Sequence, residues 1–288
     1  MLLDMINEFD FEKPYEIIAA RVNNVAQGLK FRAYHSRDIE FLDYRTYSGR
    51  NVYSRSLCFL LYKAALDIFP DCKVVMRRPI SKGFFCSIDK CDGNPLSARD
   101  IDLIKARMRE IVDEDIQFHR HEVQITEAID VFRKLGHFDK VKLLETCGEV
   151  YISYYTLGGT ADYYYDVLVP SSGYLKIWDL TPYRNGALLR VPDRHHPEQL
   201  APFHEQPKTF EVFSETIKWN RIMGLDNVGD VNKACLDGKA TDLIQVAEAL
   251  QEKKIVQIAE EINKRYRSPQ KLSLIHISEP TRRVVSSY

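Results

Sequence analysis

The stretch SRSLCFLLYKAALDIF, residues 54–69, joins a β-rich segment to a segment in which strands and helices alternate. Its apolar residues recur at intervals of three and four, the spacing that places side chains on one face of an α-helix. Pro70 and Asp71 end the pattern. We therefore predict an amphipathic helix over residues 54–69. Its apolar positions are Leu57, Phe59, Leu60, Leu61, Ala64, Ala65 and Ile68.

The segment before this helix has a short helical pattern followed by strand patterns. Apolar residues at helical spacing predict a helix over residues 1–12, which Pro14 ends. The runs IIAARV (17–22), LKFRAYH (29–35) and EFLDYRTY (40–47) have strand character, and Asn23 with Asn24 predicts a turn.

Strand and helix patterns alternate after residue 70. Ser97, with Asp100 three residues later, is a looser form of the capping box and predicts the start of a helix. Further helices are predicted from Thr126 to Gly136, over 210–223 and over 240–266, and the proline-rich run 190–209 predicts an irregular crossing. The predicted strands are KVVM (73–76), FFCSI (84–88), FHRHEVQI (118–125), YISYYTL (151–157), YYYDVLV (163–169) and YLKIWDL (174–180). The pattern predicts an α+β fold.

Composition excludes few classes of protein. The 288 residues are 45% hydrophobic and 28% charged, which is ordinary for a globular chain. Forty basic and 41 acidic residues give a net charge of −1, so no global field attracts nucleic acid or an anionic membrane. Since no signal peptide or apolar run of about 18 residues is visible, we expect a cytoplasmic protein with no membrane partner.

Six scattered cysteines are expected to be reduced thiols. Cys86 and Cys91, in CSIDKC, have a spacing that suits two zinc ligands, but a second pair at matching spacing is absent from the sequence. We therefore expect buried or rim thiols and no metal site.

The C-terminal run differs from the rest of the chain. LSLIHISEPTRR, residues 272–283, resembles the conceptual translation of a sequencing-adapter oligonucleotide. We therefore expect residues 269–288 to be an artefactual tail, excluded from fold reasoning. The expectation follows that the natural chain continues beyond this point, and a further expectation is that Met1 is internal to a longer reading frame.

Several segments, in the same order, resemble a known family. ARVNN (20–24), residues 40–70, VVMRRPISKGFFCSI (74–88), LSARDIDLIKARMREIV (96–112) and residues 162–180 resemble the region of threonyl-tRNA synthetase where the ubiquitin-like β-grasp domain called TGS meets the second additional domain. The resemblance implies a partial TGS-like β-grasp over 1–50, a domain over 51–209 like the second additional domain of threonyl- and alanyl-tRNA synthetases, and a helical connector over 210–268.

A narrower resemblance points to a different activity. IQVAEALQEKKIVQIAEEI, residues 244–262, is similar to strings that precede the kinase domain in bacterial fusions of these two domains with a uridine-type nucleoside kinase. The resemblance implies a nucleoside and ATP as partners and Mg²⁺ as cofactor, all for a domain missing here, with no cofactor in this chain. Gly238-Lys239-Ala240 does not match a phosphate-binding loop, since Lys233 stands where the first glycine is required and Ala240 where a hydroxyl is required.

The family's editing site is changed at four positions. Relatives carry two histidines one helical turn apart, and a cysteine and a third histidine four positions apart. By resemblance these positions hold Arg55, Phe59, Tyr164 and Leu168 here. Hydrocarbon side chains, a guanidinium and a phenol with a pKa near 10 are poor zinc ligands, so the resemblance implies a degenerate editing domain without catalytic residues.

Two interpretations of the tyrosine run at 163–165 stay open. In one, the three rings alternate across a strand and pack ordinarily. In the other, Arg55, Tyr164 and Asp166 line a remodelled pocket that senses a nucleotide or another small ligand.

Other polar residues suggest further candidates. Arg77, Arg78 and Lys82, with Arg184 and Arg190, are a candidate basic patch for phosphate, weighed against a solvated charge cluster. His119 and His121 have a spacing that suits a metal on a strand face, but a third ligand is not visible. We expect loop roles for His195, His196 and His204.

These observations lead to one expectation and two alternatives. We expect the non-catalytic, synthetase-like N-terminal region of a nucleoside kinase. The alternatives are an aminoacyl-tRNA deacylase and an interaction module that binds RNA.

Overall fold

A computed structural model describes residues 1–8 and 14–266, and these form two units. The first unit contains Met1–Gln124 and Tyr151–Glu205, and the second contains Ile125–Val150 and the described residues after Glu205. The fold combines small antiparallel sheets with helices, which confirms the α+β class. The tail at 269–288 lies outside the described residues, and the expected domain boundaries stay predictions.

A small β-sheet with one helix forms the N-terminal part of the first unit. It contains α1 (Leu2–Glu8), β1 (Ala19–Val22), β2 (Val25–Gln27) and β3 (Ile39–Leu42), with antiparallel strand order β2-β1-β3. Asn23 and Asn24 make the predicted turn, with φ of 46° and 66°. The strand predicted over 29–35 is wrong, because Leu29 turns inward into the core while residues 30–35 form no strand pairing.

Helix α2 (Tyr47–Ile68) is the predicted amphipathic helix and runs through the core of the first unit. It begins seven residues earlier than predicted, because Thr46 caps it: the Thr46 Oγ1 accepts a hydrogen bond of 3.1 Å from the Gly49 N–H. Leu57, Phe59, Leu60 and Leu61 are all fully buried.

A four-stranded antiparallel sheet packs in the same core. Its order is β4-β5-β10-β9. The strands are β4 (Lys73–Ile80), β5 (Gly83–Asp89), β9 (Asp179–Tyr183) and β10 (Gly186–Arg190). Helix α3 (Ala98–Asp113) begins with the predicted capping box, in which the Ser97 and Asp100 side chains each accept a hydrogen bond from the other residue's backbone N–H.

A three-stranded sheet precedes the run of chain that carries Tyr164 and Leu168. It contains β6 (Phe118–Gln124), β7 (Tyr151–Leu157) and β8 (Thr160–Asp162), in that order and antiparallel. The chain then leaves the sheet, so the strand predicted over 163–169 is wrong. The reason is local: the Asp162 and Asp166 carboxylates accept hydrogen bonds of 2.7 and 2.8 Å from the next residues' N–H groups, which competes with strand pairing.

The segment after this irregular run also departs from its predicted strand. A 3-10 turn over Ser172–Tyr174 takes the place of strand pairing at the start of the predicted run 174–180, and only Asp179 and Leu180 join β9. Ser172 explains the turn, because its Oγ donates to the Ile111 carbonyl at 2.6 Å and accepts from the Ile116 N–H at 2.8 Å.

The second unit consists, in its described residues, of helices joined by turns and short irregular links. The helices predicted from Thr126, over 210–223 and over 240–266 are confirmed, whereas α5 and α7 were not predicted. The helices are α4 (Ile125–Lys134), α5 (Phe138–Thr146), α6 (Pro207–Ile222), α7 (Val228–Leu236) and α8 (Ala240–Tyr266). In the described ranges, no helix combines the length and apolarity that crossing a bilayer requires.

Candidate functional site

Arg55 on α2 forms an ion pair with Asp166 in the irregular run after β8. The Arg55 Nη2 lies 2.8 Å from the Asp166 Oδ2 and 3.4 Å from the Val167 carbonyl oxygen, and its guanidinium lies 5.8 Å from the centre of the Tyr165 ring. The Arg55 side chain is only 16% exposed. The guanidinium is therefore held by chain groups, at a position that the resemblance assigns to the editing site.

Phe59 and Tyr164, at two further positions that the resemblance assigns to the editing site, have rings in tilted contact. Their centroids are 5.4 Å apart, and Phe118 lies 5.7 Å from Phe59 on another side. Phe59 is fully buried. Burial raises the pKa of Tyr164 well above its ordinary value, with smaller contributions from Cys58 and Tyr62. The phenol is therefore a poor general base near neutral pH.

Ser56 connects α2 to the run that carries Leu168. The Ser56 Oγ donates to the Val52 carbonyl at 2.8 Å and accepts from the Val169 N–H at 2.9 Å, and Ser56 is fully buried. Leu168, the fourth substituted position, is 3% exposed. The hydrogen bond between Ser56 and Val169 holds the irregular run against α2. The positions on the helix therefore lie beside those on the run.

The four substituted side chains offer a metal no adequate set of ligands. Two are hydrocarbons and one is an ion-paired guanidinium. Nearby Cys58 does not replace them, because burial raises the pKa of its thiol to about 12. Across the described ranges, no three His, Cys, Asp or Glu side chains gather as metal ligands do.

A cavity of about 230 Å³ lies beside Leu168 in the first unit. Two cationic side chains line it, Lys30 and Arg120, together with the Tyr155 ring. Among the described residues, the lining includes no carboxylate. The remaining lining residues are Gln27, Gly28, Leu29, Phe31, Phe118 and Val167 to Pro170.

Hydrogen bonds within the first unit position both cations. The Lys30 Nζ donates to the Phe118 carbonyl at 3.1 Å, and the Arg120 Nε and Nη2 donate to the Ser153 Oγ at 3.1 and 2.8 Å. Partial desolvation lowers the pKa of Lys30, and Asp115 opposes that effect. A bound anion would compensate this desolvation, so the cavity suits a negatively charged group.

Sequence reasoning missed Lys30 and Arg120. They stand ninety positions apart along the chain, and Arg120 lies between His119 and His121, a run that was considered only for metal binding. A longer run of basic residues in the sequence would have indicated an anion-binding site, but neither residue lies in such a run. Lys30 and Arg120 line the same cavity only because the tertiary fold brings them together.

The predicted basic residues lie on or near β4 and β10 with nearby partners. The Arg77 Nε donates to the Ser87 Oγ at 3.1 Å, and Lys82 lies 3.5 Å from Asp193. Arg184 and Arg190 also have carboxylates within 4.0 Å. Arg78 is exposed on β4. A phosphate-binding patch at Arg77, Arg78 and Lys82 stays a prediction, as does the small-molecule pocket at Arg55, Tyr164 and Asp166.

The histidine candidates have structural neighbours. His119 and His121 are on β6, and the His121 Nε2 lies 2.9 Å from the Thr156 Oγ1 while its ring stacks on Tyr154 at 4.9 Å. The Asp193 carboxylate accepts hydrogen bonds from the backbone N–H groups of His195 and His196.

Comparisons with known proteins identify what the chain resembles. No family model matches it. It is 30% identical to the threonine–tRNA ligase of Fusobacterium nucleatum over 166 residues, which is 57% of this chain and 26% of that protein. The threonine–tRNA ligases of Carboxydothermus hydrogenoformans and Desulforamulus reducens are each 30% identical, over 57% and 56% of this chain and 26% and 25% of theirs. The chain spans about a quarter of the length of these relatives.

These relatives correct the expected activity. The main expectation, the N-terminal region of a uridine-type nucleoside kinase with nucleoside and ATP as partners, is contradicted, because the homologues found are threonine–tRNA ligases. That expectation depended on residues 244–262, which lie within the long helix α8. The coarser part of the resemblance, to threonyl-tRNA synthetase, is confirmed, and the assignment of particular synthetase domains stays a prediction. The chain is homologous to threonine–tRNA ligases over more than half its length and carries a threonyl-tRNA synthetase-like domain.

Proposed function

We propose that the threonyl-tRNA synthetase-like domain binds RNA of the tRNA class and does not hydrolyse an aminoacyl ester at the four substituted positions. The observation that carries this proposal is the cavity beside Leu168, where Lys30 and Arg120 are the charged groups that the described residues contribute to the lining. The relatives' printed name, threonine–tRNA ligase, supports tRNA as the class of RNA.

Charge and size favour a terminal RNA group as the ligand. RNA presents one negative charge per phosphate, and cationic side chains bind it with release of counterions. A volume of about 230 Å³ is below the roughly 300–1,000 Å³ of most small-molecule pockets. The cavity therefore suits one phosphate, sugar or base at the end of a strand, with the Tyr155 ring available for stacking.

The substituted positions argue against ester hydrolysis there. A general base requires a pKa near the working pH and reach to a water molecule. Arg55 is paired with Asp166, Phe59 and Leu168 have no proton acceptor, and the raised pKa of Tyr164 keeps its phenol protonated. Binding without hydrolysis is the activity that these side chains support.

Binding measurements with matched variants test the proposal. Fluorescence anisotropy would follow a labelled threonine tRNA and a minihelix of its acceptor stem over a salt series. We expect Lys30→Gln and Arg120→Gln each to weaken binding and to lower the slope of log K against log salt by about 0.7 to 1. The triple variant Arg77→Gln, Arg78→Gln and Lys82→Gln tests the competing predicted phosphate patch, and on this proposal it should leave binding close to that of the parent.

Two results would overturn the proposal. One is RNA affinity that both cavity variants leave unchanged. The other is hydrolysis of a mischarged threonine tRNA by the parent protein that is lost on Arg55→Ala or Tyr164→Phe, which would establish a deacylase in place of a binding module.

A further inference from the structure

A second cavity of the first unit, about 220 Å³, has a different lining. Four tyrosines form much of its wall: Tyr15, Tyr44, Tyr53 and Tyr174. No residue of this wall belongs to the cavity that holds Lys30 and Arg120. The two cavities can therefore bind different ligands and can be tested by separate substitutions.

Hydrogen bonds fix two of these rings. The Tyr44 hydroxyl donates to the Pro192 carbonyl at 3.0 Å, and the Tyr53 hydroxyl donates to the Ile177 carbonyl at 3.0 Å while it accepts from the Ile177 N–H at 3.1 Å. The two rings meet edge to face, with centroids 5.1 Å apart and an interplanar angle of 84°. Because these hydroxyls are already bonded, a ligand meets mainly ring carbon and π surface.

The charges on the wall have a negative excess. Within the part of the chain that the structure describes, Glu16 and Glu198 are the lining carboxylates and Lys176 is the lining cation. The Lys176 Nζ lies 3.1 and 3.2 Å from the two carboxylate oxygens of Glu16. Glu198 lies 3.5 Å from the Nδ1 of His196, which is charged only when protonated. Two carboxylates against one ammonium disfavour phosphate and favour a cation.

One of the four rings already holds a cation. The Arg45 guanidinium lies 4.7 Å from the centre of the Tyr15 ring, and Arg45 is not among the lining residues. Aromatic faces attract cations through the ring quadrupole, and sites that bind quaternary ammonium groups combine several such faces.

We propose that this tyrosine cavity binds a small organic ammonium ion, with the rings around the cationic head and Glu16 and Glu198 as counter-charges. The Lys176 ammonium forms an ion pair with Glu16 in the ligand-free protein and therefore competes with the ligand for this carboxylate. The proposal is separate from RNA binding and does not depend on it.

Calorimetric titration with choline tests this proposal against a matched neutral probe. That probe is the alcohol in which a tert-butyl group replaces the trimethylammonium group. We expect choline to bind at least about tenfold more tightly than the alcohol, since desolvated cation–π contacts contribute on that scale. Adenosine, which offers a flat ring without positive charge, should bind more weakly than choline.

Variants of exposed residues keep the test independent of folding. Glu16→Gln should weaken choline binding, and Lys176→Met should strengthen it because the competing ammonium is gone. Lys30→Gln should leave choline affinity unchanged, which separates this site from the RNA proposal. Equal affinity for choline and the neutral alcohol, no heat with choline at millimolar concentration, or tighter binding of adenosine would each overturn the proposal.

Discussion

Replacement of Ser56 by alanine tests how the irregular run that carries Leu168 is held. The Ser56 hydroxyl is fully buried and accepts the Val169 N–H at 2.9 Å, and Val169 is itself only 1% exposed. Alanine leaves that N–H without a partner in the core, which costs about 1–3 kcal/mol. The Val52 carbonyl loses its bond from the hydroxyl but keeps its bond within α2, so it adds little. We expect a loss of about 2 kcal/mol in the free energy of unfolding.

Urea unfolding followed by circular dichroism measures this loss. The midpoint should fall while the dependence on urea stays the same, because the surface exposed on unfolding is unchanged. Ser54→Ala is the matched control: Ser54 lies on the same helix and is half-buried, and its variant should stay within about 0.5 kcal/mol of the parent. Equal losses in the two variants would refute the role given to the hydroxyl.

Three further changes test other parts of the fold. Phe59→Ala removes a fully buried ring and should cost about 3–5 kcal/mol in urea unfolding, and a loss below 1 kcal/mol would contradict its place in the core. Gly49→Ala places a Cβ 2.0 Å from the Asp43 carbonyl oxygen and should lower the melting temperature, whereas an unchanged melting temperature would mean that this approach relaxes freely. The pKa of Asp230 is lowered by the Lys142 ammonium and then by backbone N–H groups, so its stabilisation is present above pH 3.8 and is lost as pH falls through the lowered pKa. Unfolding of Asp230→Asn should therefore differ from the parent at neutral pH and converge with it in acid, and a constant difference would contradict the linkage.

Local sequence signals predicted the helices well. The Ser97 and Asp100 pair marks the start of α3 because both side chains act on backbone groups within one turn. The apolar stripe of residues 54–69 likewise predicted the buried face of α2. It did not predict the first seven residues of that helix, since Thr46 acts as a cap without an apolar stripe beside it.

Strands after residue 160 were predicted poorly. The tyrosine and valine content of residues 163–169 is typical of strands. Neighbouring aspartates nevertheless turn the backbone, and Ser56 from a distant helix pairs with Val169. Composition alone does not report such side-chain bonds.

For the candidate site, too, the sequence supported some predictions and misled others. The assignment of Arg55, Phe59, Tyr164 and Leu168 to editing-site positions came from the resemblance and stays a prediction. The kinase expectation, which came from a short helical string, was wrong, and the threonine–tRNA ligase homologues correct it.

Residue order was enough for the α+β class and the main helices, because both follow from neighbours in the chain. The cavities were decided by folding. Lys30 meets Arg120, and Tyr15 meets Tyr174, across long stretches of chain. Such meetings depend on how the sheets and α2 pack, and packing is a property of the whole core that no local pattern encodes.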